Sequence, residues 1–584
     1  MIVLGINSYH ANSSAALVVD GKLVFAIEEE RLNRIKNSAG FPKLAIEACL
    51  RYQKINLDDV DLICTNSNPN EQILKKIKFS FKNLVHFSEI IKKISNLSNK
   101  INLRTKIDEI SNFGTFKGKI INTEHHLSHI ASAYFLSGFT SAAGISVDGS
   151  GDFTTTSNSL CEDQLIKMKD RIFYPHSLGI FYSSITNFLG FENYGEEYKV
   201  MALGASGDCS LDSKLEKIIG LDSNGKFLLN LDYFIHQKKI NTFSIKNNQI
   251  IVNELLNVSR VEDLLGIKKR RRNENLNREH LNLARSLQNI FEKAYLGYID
   301  FTYKQFRTKN LCLAGGCAMN SLANGKILKK TNFEKIYIQP AAYDAGGAIG
   351  AALHTAIEYG DRIIKNERPK LYLGSEFSYD EINTYIDNKK DILNEKNIEV
   401  KNFINSDSVL IDNITQLLIK KKIIGIFRGR LEWGARALGN RSIIADPRGK
   451  DIKDIMNNKI KRRESFRPFA PMILFKNLSE WFDLNREIPS MMEVHKIKKE
   501  KKHIIPAVVH QDESCRLQTV HQEDNKFIYE LLNDFNNKTG VPILLNTSFN
   551  ENEPIVCNPK EAIDTFLRTD MDALVIENYI LVRN

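Results

Sequence analysis

A chain of 584 residues is too long for a single core at the usual ~100–200 residues per domain, so two or more domains are expected. Hydrophobic content of 42% and charged content of 26% fit a soluble globular protein, and no apolar run reaches the ~18–20 residues of a membrane span. The formal charge of +10, from 80 basic against 70 acidic residues, suits polyanionic ligands such as nucleotides without demanding nucleic acid.

Residues 1–35 alternate as paired strands (MIVLGIN, SSAALVVDG, KLVFAIEEER) with Asp20-Gly21 as a turn, and the apolar start reads as a buried strand, so no export signal is expected. Eight scattered cysteines without a C-x-x-C fit reduced thiols, so a cytoplasmic location is expected. A helix is predicted over Leu127–Leu136, opened by Thr123-Glu124-His125-His126. A strand, Gly/Asp turn and strand come next at 143–160, suggesting duplicated architecture. The run Lys268–Arg272 (KKRRR) reads as a solvated loop or helix start. A long helix spans 278–308. After it, the strand at 310–316 and a helix beginning near Asn320, then the strand at 335–340 and AAYDAGGAIGAALHTA, repeat a strand, glycine turn and helix grammar that suits nucleotides. Polar, aperiodic sequence around 360–380 reads as a linker, dividing the chain at 1–363 and 364–584. The second part looks like another α/β unit, with strands at 422–429 and 541–549.

His125 and His129 are one helical turn apart, a spacing that lets two imidazoles share a metal ion, although such pairs also arise easily by chance. Asp148 (VDGSGD) and Asp344 (YDAGGA), in Gly-flanked turns after strands, complete a set suited to Fe, Zn or Mn. His126 points elsewhere on the helix and reads as solvent-facing. The turns DGSGD, AGG (314–316) and DAGG (344–347) offer backbone N–H groups to phosphate oxygens, and none matches a P-loop or a full G-x-G-x-x-G. In the second part Arg428, Arg430, Arg436, Arg441, Lys461, Arg462, Arg463, Arg467 and Arg516 concentrate cations, which implies a phosphorylated substrate. His10, in the turn SYHANSS, is placed to accept a hydroxyl proton.

Taken together, EEERLNRIK (28–36), EHHLSHIASAY (124–134), SVDGSGD (146–152), CLAGGCAMNSLANGK (312–326), RGRLEWGARALGNRSI (428–443), SFRPFAP (465–471) and LLNTSFNENEPIV (544–556) resemble the O-carbamoyltransferase family over nearly the whole chain. The resemblance implies a duplicated actin/Hsp70/sugar-kinase-like N-terminal domain plus a YrdC-like α/β C-terminal domain. It implies that carbamoyl phosphate and ATP give carbamoyl adenylate, whose carbamoyl group passes to a hydroxyl. By the same resemblance Fe(II), or another divalent metal, falls on His125, His129, Asp148 and Asp344, and adenylate on Lys36, Gly316 and Asn320. The acceptor-side base falls on His10. Carbamoyl phosphate and ATP, the latter with Mg(II), fall on Arg436, Lys461, Arg467, Arg516 and Asn546. Ala435 stands where the family often has proline. The expected partner is a small hydroxylated acceptor: a sugar, secondary metabolite or polysaccharide precursor. No membrane and no nucleic-acid partner is expected, and a homodimer is the assembly to test. Two rivals are a threonylcarbamoyl-type transferase acting on tRNA and a non-catalytic nucleotide-binding actin-like protein.

Overall fold

Two five-stranded sheets with the same strand order carry the first part of the chain. In the first sheet, β1 (Ile2–Asn7), β2 (Ser14–Val19) and β3 (Lys22–Glu28) form an antiparallel meander, while β4 (Leu62–Thr65) and β5 (Lys119–Asn122) extend it in parallel on the far side of β1. In the second, β6 (Ser141–Gly151), β7 (Thr154–Glu162) and β8 (Leu165–Phe173) form the meander, and β9 (Asn310–Ala314) and β10 (Lys335–Ile338) run parallel beside β6. The orders are β3-β2-β1-β4-β5 and β8-β7-β6-β9-β10. β1, β4 and β9 read as continuous apolar runs because central strands are covered on both faces. The computed structural model describes residues 1–82, 103–222, 225–238, 243–365, 368–404, 406–464 and 466–584.

Four helices frame the first unit's chemistry and surface: α1 (Ile73–Lys82), α2 (His125–Tyr134), α3 (Arg278–Phe306) and α4 (Gly346–Glu358). α4 (GGAIGAALHTAIE) uses its small residues to lie close to its neighbours. A Cβ on Gly350 would come 1.7 Å from the Ser128 carbonyl oxygen of α2, and one on Gly5 of β1 would come 2.0 Å from the Ala348 carbonyl oxygen of α4. Any side chain at either glycine would force the elements apart. α3 begins at Asn277, whose side chain accepts from the His280 N–H.

The chain folds into two compact units, Met1–Glu367 and Arg368–Asn584. The second is built on an eight-stranded mixed sheet of β11 (Ile398–Asn402), β12 (Ile424–Phe427), β13 (Arg441–Ala445), β14 (Ala470–Leu474), β15 (Gln518–Val520), β16 (Ile543–Ser548), β17 (Ala573–Ile576) and β18 (Tyr579–Arg583). The order is β11-β18-β17-β12-β13-β16-β14-β15. Helices α5 (Asp407–Ile419), α6 (Lys526–Thr539) and α7 (Pro559–Arg568) bury Leu410, Ile414, Leu531, Phe535, Ile563 and Phe566 in its core. Both units are mixed α/β. Among the described residues no helix is long and apolar enough to cross a membrane.

The KKRRR run is not uniformly solvated: Arg270 is buried and donates to the carbonyls of Leu189, Arg272 and Glu274, tying the loop down, while Lys268 stays exposed and pairs with Glu262. His126 does not face solvent. It is fully buried, with Nδ1 2.9 Å from Ser146 Oγ and Nε2 3.0 Å from the Thr154 carbonyl oxygen, so it fastens α2 to β6 and β7.

Candidate metal centre and cationic cluster

The first turn of α2 is held by two carboxylates that sequence reasoning passed over. Glu124 caps it, accepting from the His126 and Leu127 N–H groups, and Asp152 accepts from His125 N–H at 2.9 Å. Asp152 also accepts from Ser67 Oγ and the Asn68 N–H, so the loop after β4 meets the β6–β7 turn here. The second Asp of DGSGD is therefore a fastener for the histidine helix. A capping carboxylate leaves a sequence signal, since Glu124 directly precedes the helix; Asp152, reaching across from another hairpin, leaves none.

With α2 fixed, His125 and His129 point the same way and meet Asp148 from β6 and Asp344 from the turn after β10. The four ligand atoms all lie within 4.8 Å of one another. His125 Nε2 is 3.1 Å from His129 Nε2, 3.2 Å from Asp148 Oδ2 and 3.6 Å from Asp344 Oδ1. His129 Nε2 is 3.7 Å from Asp148 and 3.6 Å from Asp344. An ion holding N and O ligands at about 2.1 Å spaces them roughly 3.0–3.4 Å apart, which these separations approach.

The electrostatics agree with a cation. Burial opposes charge on either imidazole, yet hydrogen bonds and attraction from the two carboxylates win: His125 is raised, and His129 is raised to about 9. Burial likewise opposes a charged Asp148, but the two histidines hold its carboxyl well below the ordinary range. Two carboxylates in a buried pocket call for about two positive charges, which either two imidazolium protons or one divalent ion would supply. His125 Nδ1 faces the Asn66 carbonyl oxygen at 3.2 Å; a proton donated there leaves the Nε2 lone pair for a metal. The donor set fits a divalent ion.

Two further predicted residues sit at this cluster. His10 Nδ1 is 4.0 Å from Asp344 Oδ2, and its ring stacks on His125 with centroids 5.2 Å apart. Gly316 donates its N–H to Asp148 Oδ1 at 3.0 Å. Asn320 caps a short helix at Ser321–Asn324 and exchanges two hydrogen bonds with Gln288 of α3, both 3.0 Å. Lys36 lies exposed in the turn after a short helix at Glu30–Asn33.

In the second unit the nine cations have unlike partners. Arg428 is paired with Asp407 and Arg462 with Glu551, and Arg430 donates to the carbonyls of Leu373 and Gly374. Arg441 is fully buried against the Phe427 ring and donates to the carbonyls of Arg428, Asn440 and Ser375, so it braces a loop. Lys461, 1% exposed, gives its ammonium protons to oxygens of Ser548 and Asn550. Arg516 stands out. Burial, together with the charges of Arg436, Arg463 and Arg467, pushes its guanidinium pKa well down, and its buried Nε has no hydrogen-bond partner among the described residues. Mutual repulsion of that kind is relieved by an anion. Asn546 donates to the Ala437 carbonyl and Gln518 Oε1, and its buried Oδ1 likewise lacks a partner among the described residues. The loop carrying Arg436 is shaped by Glu432, whose Oε1 accepts from the N–H groups of Leu438, Asn440 and Arg441.

Fold and site together define a mixed α/β protein with a candidate divalent-cation centre in one unit and a guanidinium cluster in the other. The chain belongs to the carbamoyltransferase family: residues 2–353 match the carbamoyltransferase N-terminus and residues 415–583 the carbamoyltransferase C-terminus. It is 36% identical to an uncharacterized protein of Synechocystis sp., covering 100% of this chain and 96% of that one. It is 34% identical to nodulation protein NolNO of Sinorhizobium fredii over 98% of this chain and 79% of that one. An uncharacterized protein of Methanocaldococcus jannaschii is 32% identical over 99% of both chains.

Proposed function

We propose that this carbamoyltransferase joins carbamoyl phosphate and ATP through a carbamoyl adenylate and passes the carbamoyl group to a hydroxyl of a small-molecule or sugar acceptor. The carrying observation is the convergence of His125, His129, Asp148 and Asp344 on one point, with His10 beside Asp344. The repeated sheet order supports an actin-like first unit, and the Arg436, Arg463, Arg467 and Arg516 group supports phosphate handling in the second, which we read as YrdC-like.

In this reading water cleaves carbamoyl phosphate to carbamate and inorganic phosphate, a carbamate oxygen then bonds to the α-phosphorus of ATP, and the bond from that phosphorus to pyrophosphate breaks. Arg436, Arg467 and Arg516 bind the phosphoryl oxygens. In the first unit the acceptor oxygen bonds to the carbamoyl carbon, the bond from that carbon to the AMP oxygen breaks, and His10 takes the hydroxyl proton. A divalent ion, Fe(II) by family resemblance, held by the two histidines and two aspartates would supply Lewis acidity toward a carbonyl or phosphoryl oxygen. Gly316 keeps Asp148 oriented through its N–H, and Gln288 keeps Asn320 oriented for the nucleotide.

The test incubates purified protein with ATP, Mg(II), carbamoyl phosphate and Fe(II). Pyrophosphate release that depends on carbamoyl phosphate is expected, followed by a carbamoyl adduct in the mass spectra of a panel of hydroxylated metabolites. Pyrophosphate release indifferent to carbamoyl phosphate would overturn the reading.

A further inference from the structure

Helix α1 is amphipathic in an unusual sense: its apolar stripe faces outward. Its sequence, ILKKIKFSFK, holds no acidic residue. Ile73 is 44% exposed, Leu74 82% and Ile77 49%, and at about 100° per residue these three fall within roughly 100° of arc. The opposite side is the anchored one. There Phe79 packs edge-on against Phe153 and Tyr174, at centroid distances of 5.5 Å and 5.4 Å. Lys76 donates to the Pro69 carbonyl on that side, which keeps the helix from rolling its apolar stripe inward. Lys78 is exposed along the edge of the stripe, whereas Lys75, exposed on the Phe79 side, lies over the Phe173 ring.

We infer that α1 is a docking surface for an anionic lipid bilayer, lying in the interface with Ile73, Leu74 and Ile77 among the acyl chains and its lysines at the headgroups. Outward Leu and Ile flanked by lysines match both chemistries of such a surface at once. A nucleic acid would use the lysines and gain nothing from the aliphatic stripe. The inference is independent of the reaction proposed above and concerns surface association only.

The experiment uses the full chain and sedimentation with phosphatidylcholine vesicles, with and without phosphatidylglycerol, at low and high salt. Binding is expected only with phosphatidylglycerol, weakened by salt. L74E/I77E should cut it about a hundredfold or more, and K78Q about fivefold, without changing the melting temperature. No sedimentation, or equal sedimentation by both variants and the parent, overturns the proposal. So does either of two other results for L74E/I77E: a fall in melting temperature without lipid, meaning the stripe is an internal contact, or conversion of a lipid-free dimer to a monomer, meaning it meets a second copy. Binding of RNA that survives L74E/I77E, with no vesicle binding, overturns it in favour of nucleic acid.

Discussion

The Nε2 atoms of His125 and His129 stand 3.1 Å apart inside a pocket that also holds the carboxylates of Asp148 and Asp344. Two ring nitrogens approach this closely when a proton or a metal ion lies between them. Replacing His129 with Ala should lower the affinity for Fe(II) by roughly a hundredfold or more, read by competition with a chromogenic chelator. A chelator should also lower the melting temperature of the metal-loaded parent and leave the variant unmoved; equal shifts would count against a bound ion.

His10 touches the cluster at its edge, through Asp344 and the face of His125. H10N should therefore abolish acceptor carbamoylation while leaving carbamoyl phosphate-dependent pyrophosphate release within about twofold. Loss of both in equal measure would place His10 elsewhere in the scheme.

Arg516, half-buried with its Nε shut off from solvent, faces the charges of Arg436, Arg463 and Arg467. R516M keeps most of the side-chain volume and removes the repulsion, so the ligand-free protein should melt at the same temperature or higher. Affinity for ATP and carbamoyl phosphate should fall by about tenfold to a hundredfold, measured by calorimetry. A destabilised variant that still binds both would assign Arg516 a purely structural part.

Glu29 is raised to about 7, first by burial and against the pull of the Ala45 and Leu44 N–H groups that it accepts. Its folded state thus holds a proton that the unfolded chain releases near pH 4.5. The linked stability is complete below about pH 4.5 and is lost as pH rises through about 7, on the order of 3 kcal/mol. E29Q should remove that part of the decline, seen as a flatter dependence of the urea midpoint between about pH 4.5 and 7.5. An unchanged slope would show that Glu29 titrates normally.

Gly350 faces the Ser128 carbonyl so closely that a methyl group has nowhere to go. G350A should destabilise the protein by about 3 kcal/mol and loosen metal binding with it, because Ser128 lies between the two ligand histidines of α2. A variant as stable as the parent would mean that the helices can separate without cost.

Much of the architecture is readable from residues alone. Strand alternation marks the hairpins of both sheets, and the long helix predicted over 278–308 runs Arg278–Phe306. The candidate metal set is legible because HxxxH fixes its own geometry and both aspartates sit in glycine turns after strands. Partnership is what a sequence cannot supply. The cation-rich motif of the second unit reads as one patch, yet Arg428 meets a carboxylate and Arg430, Arg441 and Lys461 donate to loop oxygens, and a cation that braces a loop looks the same in sequence as one awaiting phosphate. His126 escapes a reading of periodicity because a histidine flanked by polar residues gives no sign of burial; only the converging Ser146 and Thr154 oxygens reveal it.

The shared strand order has a consequence for how the protein can change. The β1–β2 turn carries His10, and the corresponding hairpin of the second sheet carries Asp148 and Asp152 near its bend. Equivalent corners of two repeats thus contribute unlike groups to one point, an imidazole from one and a carboxylate from the other. Either corner is free to be rewritten by mutation while its twin and both sheets stay as they are, so the imidazole and the carboxylate can be altered separately.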